Sequence, residues 1–340
     1  MPLTILAILP FYGANSPRYL IDAFERIGAR IIRVGPVYRN HLGLDWKPEE
    51  LPPVDYELPK EANWYVDGLI DLVTPRFGAP DLVILSEENY RNVIVNTEKV
   101  PSVLYSVDGW PDQLARREEI NATISYSSQP YGNNFAPRST SAPGWKYLSA
   151  AAAPWVHQYL GFERTVDFCL LATMYTKRPG ICDGIRERGF SVKAGQERTL
   201  GYVRWCNRSL ATLHNPGYYE IKYRFYESAA MGILNLSWHT PPYDLQGYKP
   251  WINYVSVDTV DTDDGPWPTA EIISESLNNI KKNRPFFQQI ADAARNLTVR
   301  ENSYYNRCAQ IFTDLDMPEW TARANEKAFN AAWQEHLAID

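Results

Sequence analysis

LHNPGYYEIKYRFYESAAMGILNLS, residues 213–237, is the stretch whose reading decides the fold of this chain. It reads as a short strand, a turn at Pro216-Gly217, an amphipathic helix closed by Gly232, and a buried strand, ILNLS. Two carboxylates, Glu220 and Glu227, and two cations, Lys222 and Arg224, crowd the start of the helix. In a doubly wound domain, strand ends and a helix N-terminus converge on an anionic ligand, so this layout implies a phosphate-and-ribose site with a nucleotide-linked occupant.

Two readings of the charged residues compete. Glu220 and Glu227 are seven positions apart, close to two full α-helical turns, which places both on one face. A solvated face laced by i,i+3 and i,i+4 pairs among Glu220, Lys222, Arg224 and Glu227 accounts for the same residues. The cations favour the ligand: in the first turns after Gly217 they oppose the helix dipole unless a negative group answers them, and a diphosphate does so. Glu227, followed by the small residues SAAMG that permit close helix-to-sheet packing, is placed to accept two ribose hydroxyls.

Working outward, strands alternate with helices. Residues 3–9 form an expected strand, 16–27 a helix stopped at Gly28, and 30–34 the next strand. Further strands are expected at 81–85, 102–106 and 122–125, with helices at 64–73 and 111–118. Residues 133–153, rich in Pro, Ser, Gly and Ala, break the pattern. It then restarts with strands at 166–173, 190–193 and 209–213 and helices at 177–187 and 200–206, and from 269 onward the chain reads as helical. Such alternation implies parallel sheets covered on both faces, an α/β chain of two Rossmann-like doubly wound domains. The division expected is 1–158, 159–318, and a final helix, 319–340, that returns to the first domain.

Composition narrows the function classes. With 340 residues, 45% hydrophobic and 22% charged, the chain has the apolar material for two cores and is not disordered. A net charge of −6 excludes a general electrostatic attraction to nucleic acid, leaving only a local groove. No run of 18 apolar residues is present, so no membrane-spanning helix is expected. MPLTILAILPFYG lacks a basic leader and is expected to be a strand of a cytoplasmic protein. Cys169, Cys182, Cys206 and Cys308 show no CxxC spacing and are expected to be free thiols.

Other candidates follow from position. Asp108, in VLYSVDGWP, ends a first-domain strand at the edge where such sheets place ligands, as either a general base or a turn residue before Gly109. Glu87 and Glu88 follow the strand at 81–85, and only one of two adjacent acids, taken as Glu88, can enter a cleft. His157 stands at the hinge between the halves, as either a catalytic residue reaching the cleft or a packed or solvated histidine. His214 and His239 flank the second-domain strand ends as hydrogen-bond donors to a phosphate-linked ligand. Asp261 and Asp263 have a D-x-D spacing that suits either a metal or a plain turn. No metal is required, because a helix start and cations can stabilise a leaving group.

The segment 208–315 resembles the C-terminal domain of the CgeB-type (spore-protein) glycosyltransferase-like family. The likeness is carried by the R-x-x-E core from Arg224 to Glu227, the SAAMG after it, the strand ILNLS and a terminal run of helices. It is similar, more distantly, to the group 1 glycosyltransferases of the GT-B fold; VLYSVDGWP and YLSAAAAP extend the likeness into the first half.

The resemblance implies two Rossmann-like domains facing across a cleft, with a nucleotide-sugar donor, UDP-sugar first, on the second and a hydroxyl acceptor on the first. It assigns Glu227 to the donor ribose, Arg224 and Lys222 to the diphosphate, and Gly217, Tyr219 and Glu220 to the same donor site. One departure stands out: the group 1 pattern separates its two acids by seven residues, whereas Glu220 and Glu227 are separated by six, and Tyr219 occupies the matching position. Two alternatives remain, a hydroxymethylated DNA base as acceptor and a non-catalytic nucleotide- or glycan-binding assembly protein.

Overall fold

A computed structural model of the chain describes residues 2–13, 16–41, 43–59, 64–86, 93–94, 99–106, 122–128, 145–216, 221–263 and 265–336. It divides into two compact units, the first comprising Met1–Ser149 and Tyr304–Lys327, the second Ala150–Ser303 and Ala328–Asp340. Each is an α/β Rossmann-like unit, and together they give the GT-B class of fold.

The first unit holds a seven-stranded parallel sheet. Its strands are β1 (Thr4–Ile8), β2 (Arg30–Gly35), β3 (Tyr56–Glu57), β4 (Leu82–Ser86), β5 (Ser102–Ser106), β6 (Ile124–Ser127) and β7 (Trp145–Tyr147). Their order is β7-β6-β5-β4-β1-β2-β3. The chain starts in the middle, winds outward one way through β2 and β3, then returns to the other side of β1 through β4, so the switch point lies between β1 and β4. Near-continuous apolar runs, Ile5 to Ile8 and Leu82 to Leu85, suit strands buried on both faces. Helix α1 (Ser16–Arg26) connects β1 to β2 by the usual crossover, and α2 (Val66–Phe77) precedes β4.

The second unit repeats the logic with five parallel strands: β8 (Val166–Leu171), β9 (Val192–Gly195), β10 (Ser209–Leu213), β11 (Leu234–Ser237) and β12 (Val255–Ser256), ordered β9-β8-β10-β11-β12. Side chains alternate between two cores. Phe168 and Leu170 face a cluster with Ile181, Ile185, Ile273 and Leu277 of the helices α3 (Arg178–Glu187) and α7 (Ala270–Lys282). Cys169 and Leu171 face the other way, toward Tyr202, Val203 and Cys206 of α4 (Thr199–Asn207). Each such buried side chain contributes about 1.5–3 kcal/mol of transfer free energy.

The strands and helices expected from sequence are present within a few residues wherever the structure describes them. The helix expected at 111–118 lies outside the described residues. Features not anticipated include β3; β7, inside the stretch read as a loop; β12; a short helix at Pro241–Leu245; and a hairpin formed by Val260–Thr262 and Gly265–Trp267. The chain passes between units at 149/150, 303/304 and 327/328, against sequence-based boundaries of 158 and 318. Helix α9 (Tyr304–Asp314) belongs to the first unit because its apolar face packs on α1, with Phe312 edge-on to Phe24 at 5.2 Å. Asp314 then accepts hydrogen bonds from Tyr126 and Lys146, both at 2.6 Å. All four cysteines are free and buried, and no described helix is long and apolar enough to cross a membrane.

Candidate functional site

The second unit's switch point lies between β8 and β10, where the chain reverses its winding direction, and a crevice outside the carboxyl ends of the strands is expected there. A cavity of about 20 Å³ occupies that position, with Leu171, Leu213, His214, Arg224 and Tyr202 among its lining. It admits a water-sized group, so a larger ligand must lie over its mouth.

Helix α5 (Tyr223–Ala230) brings most of the polar groups to this place. It begins at Tyr223, not near Gly217: Lys222 is the N-cap, extended at φ −64° and ψ 148°, and contributes no side-chain cap. Ile221 and Lys222 lie ahead of the helix and are not part of it, and Glu220, the other member of the expected pair, lies outside the described residues. No Ser, Thr, Asp or Asn lies between 217 and 222 to cap an earlier start. Gly217, Tyr219 and Glu220 themselves lie outside the described residues, as do Glu87, Glu88 and Asp108 of the first unit.

The end of α5 follows from its sequence. Gly232 takes φ +67°, with its amide donating to the Ala229 carbonyl and that of Ile233 to the Ser228 carbonyl, a left-handed helix stop. A Cβ at Gly232 would lie 3.0 Å from the Tyr159 ring. Ala229 and Ala230 are fully buried, and Ser228 donates to Asn235 of β11 at 2.6 Å, so the helix rests directly on the strand.

Cations converge on the strand ends. The Arg224 guanidinium donates to the Leu171 carbonyl at the end of β8 and lies 5.5 Å from the Tyr202 ring. Arg178, at the start of α3, donates to the Thr173 carbonyl at 2.8 Å and sits over Tyr175 at 4.3 Å. Burial lowers the pKa of Arg178, and the positive charge of Arg224 lowers it further. His214 reports the same field. Burial, then Lys222, Arg178 and Arg224, push its pKa down to about 3, so its imidazole is neutral. Its Nε2 is buried and has no hydrogen-bond partner among the described residues.

Glu227 is the negative counterpart, and it is buried. His157 approaches its Oε1 through Nε2 at 3.3 Å, and the Tyr202 hydroxyl hydrogen bonds to it. Burial holds His157 below its ordinary pKa, the charge of Glu227 pulling upward without reversing this. Burial, followed by the Glu227 charge, raises Tyr202 well above its usual value.

Among the sequence-predicted residues, the structure thus gathers His157, His214, Lys222, Arg224 and Glu227. His157 is buried against Glu227 rather than open to solvent. His239 is engaged differently, its Nδ1 with the Tyr254 hydroxyl at 2.8 Å and its Nε2 with Asp244 at 3.2 Å. Asp261 and Asp263 are exposed on the 260–267 hairpin, whose turn is closed by Thr262 donating to the Gly265 carbonyl at 2.7 Å. Among the described residues no three His, Cys, Asp or Glu side chains group as metal ligands.

Sequence reasoning missed Arg178 and Tyr202. The signal for Arg178 was available: Lys177-Arg178-Pro179 opens a helix straight after a strand, the context that singled out Lys222 and Arg224.

The fold is similar to that of HepE from Anabaena, solved with UDP and glucose, at a TM-score of 0.60 and 12% identity over 92% of this chain and 99% of that one. It is also similar to sucrose-phosphate synthase from Thermosynechococcus elongatus, at 0.56 and 10% over 94% and 100%. A third likeness is to an alpha-glucosyltransferase solved with UDP and a 13-mer DNA containing a HMU base, at 0.58 and 9% over 95% and 100%. These neighbours are GT-B group 1 glycosyltransferases. No protein-family model and no curated protein sequence matches the chain, so the likeness to the CgeB-type family rests on the residues quoted for it.

Proposed function

We propose that the protein is a glycosyltransferase that moves a sugar from a nucleoside-diphosphate sugar, a UDP-sugar first, to a hydroxyl acceptor. The observation that carries this reading is the gathering of Arg178, Lys222 and Arg224 around a neutral His214, whose Nε2 has no hydrogen-bond partner among the described residues, at the switch point of the second unit. The positive charges of Lys222, Arg178 and Arg224 disfavour a proton on His214, and that of Arg224 disfavours the charge of Arg178; a diphosphate over the mouth of the crevice answers that field. The UDP bound in HepE and in the alpha-glucosyltransferase supports the same ligand class.

In this reading the departing diphosphate gains charge as the glycosidic bond breaks, and Arg178, Lys222 and Arg224 stabilise that charge. His214, as a neutral donor, adds a hydrogen bond from Nε2 without a further charge. Glu227 accepts the ribose hydroxyls. Asp108 of the first unit deprotonates the acceptor, with Glu88 as the second choice. No metal step is required.

Thermal unfolding against a panel of nucleotides tests the proposal. UDP at a hundred times its dissociation constant stabilises the protein by about 2.7 kcal/mol, and Glu227→Ala removes that gain while leaving a folded protein. No stabilisation by any nucleoside diphosphate refutes the reading, and a Glu227→Ala variant with undiminished UDP affinity refutes the ribose assignment.

A further inference from the structure

The least expected contact at the site is the one between His157 and Glu227. These residues are distant in sequence and meet in a buried setting, His157 with 1% and Glu227 with 7% of its side chain exposed. The ring is held on both sides. Its Nδ1 lies 3.2 Å from the backbone amide of Ala153, which can only donate, so Nδ1 accepts and carries no proton. The proton of the neutral ring is therefore on Nε2, which points at the Glu227 carboxylate. His157 is a donor to Glu227 by tautomer as well as by distance.

The support behind the ring is rigid. The amides of Val156 and His157 both donate to the Ala153 carbonyl, at 2.9 and 2.8 Å, closing a tight turn. One residue earlier, the Ala152 amide donates to the Asn302 carbonyl at 3.0 Å, and Ala152 bridges Ser303. From the other side, the Tyr202 hydroxyl donates to the same carboxylate, with its ring edge-on to His157 at 6.4 Å. Two donors fixed to separate backbone segments thus set the plane of one carboxylate. Fold stability alone does not call for such a group, since apolar side chains of similar volume often replace buried polar pairs without loss.

We propose that His157 is a positioning residue: through its Nε2–H it orients the Glu227 carboxylate to receive the two ribose hydroxyls of the donor. The inference rests on the ribose role of Glu227 given above. A carboxylate whose plane is already set binds a vicinal diol without the ordering cost that a freely rotating glutamate incurs, a difference of about tenfold in affinity.

The experiment compares UDP with 2′,3′-dideoxy-UDP by calorimetry for the full-length wild type, His157→Leu and His157→Gln. Wild type is expected to prefer UDP. His157→Leu is expected to bind UDP about tenfold more weakly yet bind dideoxy-UDP as wild type does, because the ligand without the hydroxyls never used the oriented carboxylate. His157→Gln, which restores an N–H near the Nε2 position, regains most of the preference. A His157 that only packs the fold would weaken both ligands alike, and that result overturns the proposal, as does a full UDP preference in His157→Leu. Nitrogen-15 NMR of the wild-type histidines keeps the test open if a variant fails to fold. An Nε2–H tautomer whose resonance shifts with UDP but not with dideoxy-UDP supports the inference, and an Nδ1–H tautomer or an unmoved resonance overturns it. Wild type that binds no UDP sinks the donor-site reading; wild type that binds UDP and dideoxy-UDP equally sinks the ribose role of Glu227.

Discussion

Replacing His214 with Asn is expected to flatten the acid side of the protein's stability profile. His214 is buried, its pKa is pushed to about 3 against an ordinary 6.5, and it stands among Lys222, Arg178 and Arg224. The folded protein keeps the imidazole neutral, while the unfolded chain takes up a proton between about pH 6.5 and pH 3. Stability from this group is whole above pH 6.5 and falls as the pH drops through that window. Each unit of difference is worth about 1.4 kcal/mol. At pH 5 the unfolded chain is about 1.5 units below its own pKa, so the wild type loses about 2 kcal/mol relative to neutral pH through His214 alone.

Guanidinium unfolding followed by tryptophan fluorescence, at pH 7.5, 6 and 5, reads this difference. Asn at 214 forfeits the ring contact with Phe225 at 5.2 Å, which lowers stability at every pH by a similar amount. The slope, not the offset, is the measure. His157 is also depressed by burial and adds to the acid sensitivity of both proteins, so it cancels in the comparison. Parallel pH profiles for wild type and variant would refute the claim that His214 sits neutral in a positive field, and with it the electrostatic basis of the proposed donor site.

Two other substitutions probe the same region from different directions. Arg178→Ala is expected to weaken UDP by about tenfold or more, the scale of a lost charge-assisted hydrogen bond, and to flatten the salt dependence of binding while leaving uridine unaffected; equal losses for UDP and uridine in a titration would remove Arg178 from the diphosphate site. Gly232→Ala is expected to cost about 1–2 kcal/mol of unfolding free energy, since the position holds φ +67° and a Cβ would press on the Tyr159 ring; unchanged stability in denaturant would show that the helix stop tolerates a side chain.

Local pattern made the fold legible. Runs such as Leu82 to Leu85 and Phe168 to Leu171 are apolar on consecutive positions, which two-sided burial in a parallel sheet requires, and Gly28 and Gly232 mark helix ends by a conformation other residues resist. The start of α5 was less legible, because Lys222 has no capping side chain and the helical periodicity of IKYRFYES runs unbroken through it. The boundary at 303/304 was hidden for a different reason. Helix α9 looks like its neighbours in sequence, and only contacts distant in sequence, Phe312 on Phe24 and Asp314 with Tyr126 and Lys146, assign it to the first unit.

The candidate site was half legible, and the missing half follows from how a doubly wound sheet assembles a crevice. Sequence proximity groups residues along one turn, which is why Lys222, Arg224 and Glu227 were found together. The sheet groups residues by strand end: the order β9-β8-β10-β11-β12 sets the end of β8 beside that of β10, so the Leu171 carbonyl, Arg178 and His214 become neighbours of Arg224 without being near it in the chain. A charge pattern within one segment therefore indicates where a ligand contacts that segment, and the strand order indicates which other segments complete the contact. A peptide spanning residues 213–237 keeps both cations and the carboxylate, yet it lacks Arg178, Tyr202 and His157. Without them the lysine and arginine have one positive neighbour fewer, and the carboxylate loses the two donors that set its plane.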